Sequence, residues 1–208
     1  MRSAQKNDGY YTYEDYCSWD DDERLELIDG KIYVMSPAPL RIHQKIVMNL
    51  SAILFNFLKD KPCEVYSAPF DVRLNADTDD NTVVQPDIVV ICDQSKLTDK
   101  GCVGVPDLII EVLSPSSVVN DKVVKFKAYR EAGVREYWVV DPENSLVLVN
   151  LLDRANYTTH PYYGDSACIS VSVLEGCVID LKDVFYDNLT LSPGNNRPER
   201  GILEGVEF

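Results

Sequence analysis

The sequence predicts a single α/β domain, and three observations lead there. The chain has 208 residues, which suits one domain with extensions better than two full domains. Its apolar fraction of 45% and its 12 tyrosines are enough to build a buried core. Apolar runs of strand length recur along it, interleaved with two helical patterns.

The elements follow in order. Thr12 to Ser18 has the pattern of a short helix, with Thr12 as N-cap and Asp15 three residues on, a variant of the capping box. Arg24–Ile28 and Lys31–Met35 flank Asp29-Gly30. Two strand-like runs around Asp-Gly predict a hairpin, because the type I′ turn needs positive φ at both central residues. Its register sets Glu26 opposite Tyr33, and Ser36-Pro37-Ala38-Pro39 breaks the second strand. Ile42 to Lys59 is the longest predicted helix, with Ile42, Ile46, Leu50, Ile53 and Phe57 on one stripe, widened by Val47, Leu54 and Leu58. Strands are expected over Glu64–Leu74 and Val83–Ile91, around the acidic loop Asp77–Asn81. Leu108–Leu113 suits a central strand. A helix from about Asp121 to Ala132 is ended by Gly133. Further strands are expected at Glu136–Val140, Leu146–Leu152, Cys168–Leu174 and Val178–Leu181. Residues 1–10 are expected to be a flexible start, 11–187 the domain, and 188–208 a loose tail rich in Pro, Gly, Asn and charge.

Composition narrows the function classes. No apolar stretch reaches the roughly 20 residues of a membrane span. Met1 to Gly9 lacks a signal-peptide core, so a cytoplasmic location is expected. Six cysteines carry no C-x-x-C pair, and with only His43 and His160 a structural zinc site is not expected. Most lie in apolar runs, as Cys92 and Cys177 do, and are expected to be small buried hydrophobes in a reducing compartment. A net charge of −14 argues against gripping nucleic acid by bulk electrostatics, while leaving room for a local basic patch or an acidic metal-binding cleft.

Two acids lie where carboxylates are expensive. Asp87 follows Pro86 at the head of an apolar strand, and Glu111 interrupts Leu108–Leu113. A buried ionised carboxylate costs several kcal/mol unless it is paired or bound to a cation. Two on adjacent strands are what a hard, oxygen-preferring ion such as Mg²⁺ requires, with the Val112 carbonyl completing its shell. Taken singly, Asp87 could cap a strand and Glu111 could pair with a lysine. Asp121, Lys125 and Tyr129 follow at i, i+4 spacing on one predicted helix face; an Asp–Lys surface pair is the plainer reading. From Asn120 to Glu136, five basic side chains stand against three acidic ones, a net of +2 in a chain of −14.

The strings ERLELIDGKIYVMSPAP, QPDIVVI, PDLIIEVLSPSS and DKVVKFKAYREAGVREYWVVDP, with a helix opening on His43, resemble the Uma-two family of restriction-endonuclease-like proteins from about Tyr11 to Phe185. The resemblance implies the PD-(D/E)xK nuclease superfamily and its restriction-endonuclease-like fold, a central mixed sheet flanked by helices. It matches Pro86-Asp87 to the PD and Glu111 to the acidic member 24 residues on. Leu113 stands where the standard lysine would be, and Lys125 matches a lysine on the following helix. Glu26 matches an additional acidic position, while His43, Asp121 and Tyr129 are placed behind the ligands. For His43 alone, a hydrogen-bonded core residue is the plainer reading.

The implied chemistry is phosphodiester hydrolysis of nucleic acid, DNA ahead of RNA, by an endonuclease. Mg²⁺ or Mn²⁺ held by Asp87, Glu111 and Val112 lowers the pKa of bound water, Lys125 orients that water or offsets charge at phosphorus, and Glu26 is a further ligand or base. A homodimer is compatible with it. Two alternatives remain open: an inactive nuclease-fold binding or interaction module, and a hydrolase of small phosphoesters.

Overall fold

The structure is a computed structural model describing residues 9–19, 24–35, 40–114, 120–164 and 167–186, with the backbone alone at 120–122. Ser36–Pro39, the strand-breaking segment, and the tail from 188 lie outside the described residues. In chain order the elements are α1 (Tyr13–Tyr16), β1 (Leu25–Ile28), β2 (Lys31–Val34), α2 (Arg41–Leu58), β3 (Glu64–Ser67), β4 (Val72–Arg73), β5 (Val83–Val84) and β6 (Ile88–Ile91). Then come β7 (Leu97–Thr98), β8 (Gly101–Val103), β9 (Leu108–Val112), α3 (Phe126–Ala132), β10 (Glu136–Asp141), β11 (Leu146–Asp153), β12 (Asn156–Tyr163), β13 (Cys168–Ser170), β14 (Val178–Asp180) and α4 (Leu181–Phe185).

The predicted α/β architecture is present, with its strands divided between two six-stranded mixed sheets and a two-stranded one, β13-β14, rather than gathered into one. The larger runs β12-β11-β10-β9-β6-β3, with β9 and β10 its one parallel pair. The smaller runs β2-β1-β5-β4-β8-β7. Side chains alternate across the larger sheet, so its two faces build two cores. Ile88, Ile110, Val112, Trp138 and Val140 meet the Ile46-Leu50-Leu54-Leu58 stripe of α2 and the C-terminal apolar residues. Val89, Ile109, Tyr137 and Val139 meet Tyr129 of α3 together with Ile28, Val72 and Val84 of the smaller sheet. Glu111 belongs by alternation to this second face.

The hairpin has the predicted register, Glu26 opposite Tyr33, with Asp29 at φ 51° and Gly30 at φ 73°. Tyr10, expected in the flexible start, hydrogen-bonds Asn81. Three expectations need correction. The runs 64–74 and 83–91 are each two strands, interrupted around Pro69 and Pro86, where proline supplies no ladder N–H. The helix expected from Asp121 is a π-helical turn over Asn120–Lys125, and the α-helix begins only at Phe126. The half-buried Val124 packs against the core there and the neighbouring Lys125 is buried. Cys63 and Cys92 form a disulfide, Cα–Cα 3.9 Å. Glu64 pairs with Ile91, so the β3–β6 register continued one step sets Cys63 opposite Cys92. The cysteines therefore give no reason to place the chain in a reducing compartment. Cys102 and Cys177 are buried thiols, whereas Cys17 and Cys168 are exposed.

Candidate active site

Three strands, two helices and the π turn bring the predicted residues together. The β6–β9 register pairs Ile88 with Ile110 and Val89 with Ile109. Continued one step, it places Asp87 opposite Glu111, as cross-strand neighbours. The two are joined through the backbone. Asp87 N–H donates to Glu111 Oε2 at 3.4 Å, and Val112 N–H donates to Asp87 Oδ2 at 2.8 Å. The N-terminal turn of α2 adds His43, whose Nε2 is 3.2 Å from the same Oδ2. His43 is buried, and its Nδ1 has no partner among the described residues.

Glu111 points toward α3. Its Oε1 accepts from Lys125 Nζ at 2.9 Å and from the Tyr129 hydroxyl at 2.7 Å. Lys125 Nζ is also 2.9 Å from Glu26 Oε1, which accepts the Gln85 N–H at 2.8 Å. Glu26, Glu111 and Lys125 are all buried, no more than 4% exposed. In that setting an ammonium shared by two carboxylates is what keeps the acids tolerable, since removing either partner strands a charge. Burial and then the Glu111 and Glu26 carboxylates hold the Tyr129 phenol well above its ordinary value of 10.0, so it remains a proton donor to Glu111.

Position 113 has the same parity as Glu111 and faces the same side of the sheet. Leu113 fills it as core, 6% exposed. The ammonium beside Glu111 is that of Lys125, at the junction of the π turn and α3. The side chain of Asp121 lies outside the described residues. A second Pro-Asp pair, Pro106-Asp107, precedes β9 at the end away from Glu111. Asp107 there accepts the Cys92 N–H at 2.7 Å and is bonded to Arg135.

The donor set can be tested against a divalent cation. Mg²⁺ keeps several waters and is commonly held by one or two carboxylates plus substrate phosphate. Asp87 offers Oδ1, which accepts no hydrogen bond from a described residue, on a side chain 21% exposed. Glu111 stands opposite it in register, and Val112, whose carbonyl the sequence offered, lies beside both. Among the described residues no three His, Cys, Asp or Glu side chains converge as a ligand group. The residues fit an open two-carboxylate site, not a closed cage. Gln85 was not foreseen: its contribution is a backbone N–H, which leaves no mark on side-chain chemistry.

No helix among the described residues is long and apolar enough to cross a membrane. In comparison with known proteins, the family model described as Uma2, putative restriction endonuclease, matches residues 12–182. The uncharacterized proteins slr1290 and sll1609 of Synechocystis sp. (strain ATCC 27184 / PCC 6803 / Kazusa) are 31% identical over 118 residues and 34% identical over 122 residues. Those stretches cover 56% and 57% of this chain, and 60% and 67% of the two relatives. The crystal structure of a putative nuclease belonging to DUF820 from Anabaena variabilis ATCC 29413 superposes with a TM-score of 0.68 at 20% identity, covering 84% of this chain and 97% of that one. That likeness carries the fold, and the family match carries the membership: the chain belongs to the Uma2 family of putative restriction endonucleases.

Proposed function

We propose that this protein is a metal-dependent endonuclease that hydrolyses phosphodiester bonds in nucleic acid, DNA ahead of RNA. The observation that carries the reading is Lys125, a buried ammonium 2.9 Å from Glu26 and from Glu111, with Asp87 opposite Glu111 in register. An amine beside paired strand-borne acids serves phosphoryl transfer, where most catalysis is positioning and charge stabilisation.

Asp87 and Glu111, with the Val112 carbonyl, would hold Mg²⁺ or Mn²⁺. Such an ion, when bound, polarises a phosphoryl oxygen and lowers the pKa of coordinated water. The chain's own residues do the rest. Val112 N–H and His43 fix the Asp87 carboxylate through Oδ2, leaving Oδ1 without a hydrogen bond from a described residue. Tyr129 and Lys125 both engage Oε1 of Glu111, which orients that carboxylate. Glu26 is a positioning residue for Lys125, tied by Gln85 N–H. Lys125 offsets negative charge that builds at phosphorus or orients the attacking water. A homodimer and action in the cytoplasm on nucleic acid held there are part of the proposal.

The test is a cleavage panel of single-stranded, duplex and structured DNA and RNA with Mg²⁺ or Mn²⁺, run beside Asp87→Ala purified in parallel. Cleavage by the wild type and about a hundredfold or greater loss in the variant is expected. Intact substrates throughout, or equal cleavage by both proteins, would remove the reading.

A further inference from the structure

A cleft of about 370 Å³ opens beside the acids, within the size range of small-molecule sites. Neither Asp87 nor Glu111 lines it, but two tethers join its walls to them. Ala68 N–H donates to the Asp87 carbonyl at 3.1 Å, two residues before Phe70 in the cleft wall. Gln85, also in the wall, donates its N–H to Glu26.

The cleft has an aromatic side and a polar side. Tyr66 and Phe70 are stacked, with centroids 4.4 Å apart and planes at 10°. The β7–β8 turn also lines the cleft with Lys100, whose ammonium makes no ion pair among the described residues and is exposed. Asp71 also lines the cleft. Its Oδ1 accepts from Gln85 Nε2 at 2.8 Å and from the Tyr16 hydroxyl at 3.2 Å. Its Oδ2 accepts nothing from a described residue. Asp99 lines the cleft too, so two carboxylates stand against one ammonium, a balance that suits a base better than a phosphate.

We propose that this cleft is a nucleobase subsite: the base continues the Tyr66–Phe70 stack, its exocyclic amine donates to Asp71 Oδ2, and Lys100 meets the adjoining phosphate. The proposal rests on the nuclease reading and deepens it by naming what the site recognises beside the bond it cuts. Cytosine, adenine and guanine carry an exocyclic amine. Thymine offers one N–H between two carbonyl oxygens, which repel a carboxylate. A base splayed into such a cleft is unpaired, so single strands, loops and frayed ends are the preferred substrates.

The experiment is fluorescence anisotropy of the full chain in EDTA, where nothing is cut, with dC10, dA10, dT10 and rC10 oligonucleotides. Expected are tighter binding of dC10 and dA10 than of dT10, and about tenfold weakening by Phe70→Leu. Lys100→Gln should weaken all of them alike and lower the salt slope by about one. Asp71→Asn, which presents a donor at Oδ2, should abolish or invert the preference over dT10. Equal binding of rC10 and dC10 supports recognition of the base in either nucleic acid, and loss of rC10 supports a DNA-restricted subsite. Should Phe70→Leu not fold by circular dichroism, Asp71→Asn and the exposed Lys100→Gln still decide. Unchanged affinity and unchanged base preference in the folded variants, with cleavage in Mg²⁺ intact, overturns the subsite and leaves the nuclease reading standing. No binding and no cleavage by the wild type overturns both.

Discussion

Glu111 and Glu136 are buried on neighbouring parallel strands of one sheet, 3% and 0% exposed, and face opposite sides of it. Glu111 shares its face with Ile109 and Leu113, and there it meets an ammonium, a phenol and a second acid's backbone N–H. Glu136 shares its face with Trp138 and Val140 and meets only neutral donors, Trp138 Nε1–H at 2.7 Å and Val173 N–H at 3.0 Å. Glu136 makes no ion pair among the described residues. Burial raises its carboxyl above the ordinary value of 4.5, against the pull of those hydrogen bonds and of Arg135. A carboxylate in an apolar strand is therefore not a site by itself. The site is made by what the facing segment brings: the π turn and α3 bring Lys125 and Tyr129, where the C-terminal residues bring a backbone amide.

The largest expected effect breaks the Glu111 side of this comparison. Lys125→Met leaves Glu26 and Glu111 facing each other without a cation, and should cost about 3–5 kcal/mol of folding stability in urea titrations at neutral pH. Adding Glu26→Gln and Glu111→Gln to that variant should recover much of the loss. If the triple variant is no more stable than the single one, the ammonium is not what makes the acids tolerable.

Tyr129→Phe takes one donor from Glu111 Oε1 and leaves Lys125 in place. The expected cost is about 1.5–3 kcal/mol, read by the same titration.

Glu136→Gln sharpens the other side. The native state holds the Glu136 proton more tightly than the unfolded chain, so its contribution is full below the unfolded value of 4.5 and is lost as pH rises through the folded one. Gln turns one acceptor into a donor facing Val173 N–H, so the variant should start about 1–3 kcal/mol below wild type in acid. That gap should narrow as pH climbs above 4.5. A gap constant from pH 4 to 8 would mean the carboxyl titrates normally.

Much of this was legible in the residues. The α2 stripe, the Asp-Gly hairpin and the apolar strands carrying Asp87 and Glu111 all announce themselves by periodicity and turn chemistry. β12 does not: Asn156–Tyr163 contains Pro161 and is exposed along most of its length, as an edge strand can be, so no apolar alternation marks it. α4 is only five residues, too short for a helical stripe, and only its first residue, Leu181, falls in an expected element, the strand before it. At the site, side-chain types and spacing pointed to Asp87, Glu111 and Lys125, and the family resemblance added Glu26, whereas the Gln85 and Val112 N–H groups that hold those acids carry no signature. Glu136 did carry one. It opens the apolar run EYWVV much as Glu111 interrupts its own, yet at the head of an expected strand it reads as a boundary and as one of three acids in a basic segment.

One measurement separates the two faces of the sheet by function: cleavage of nucleic acid in Mn²⁺ by Asp87→Asn, Lys125→Met and Glu136→Gln, each compared with wild type at equal folded fraction. Activity should fall about a hundredfold or more in the first two and stay near wild type in the third. Cleavage that survives Asp87→Asn, or that Glu136→Gln abolishes as fully, would contradict placing the chemistry on the α3 side of the sheet.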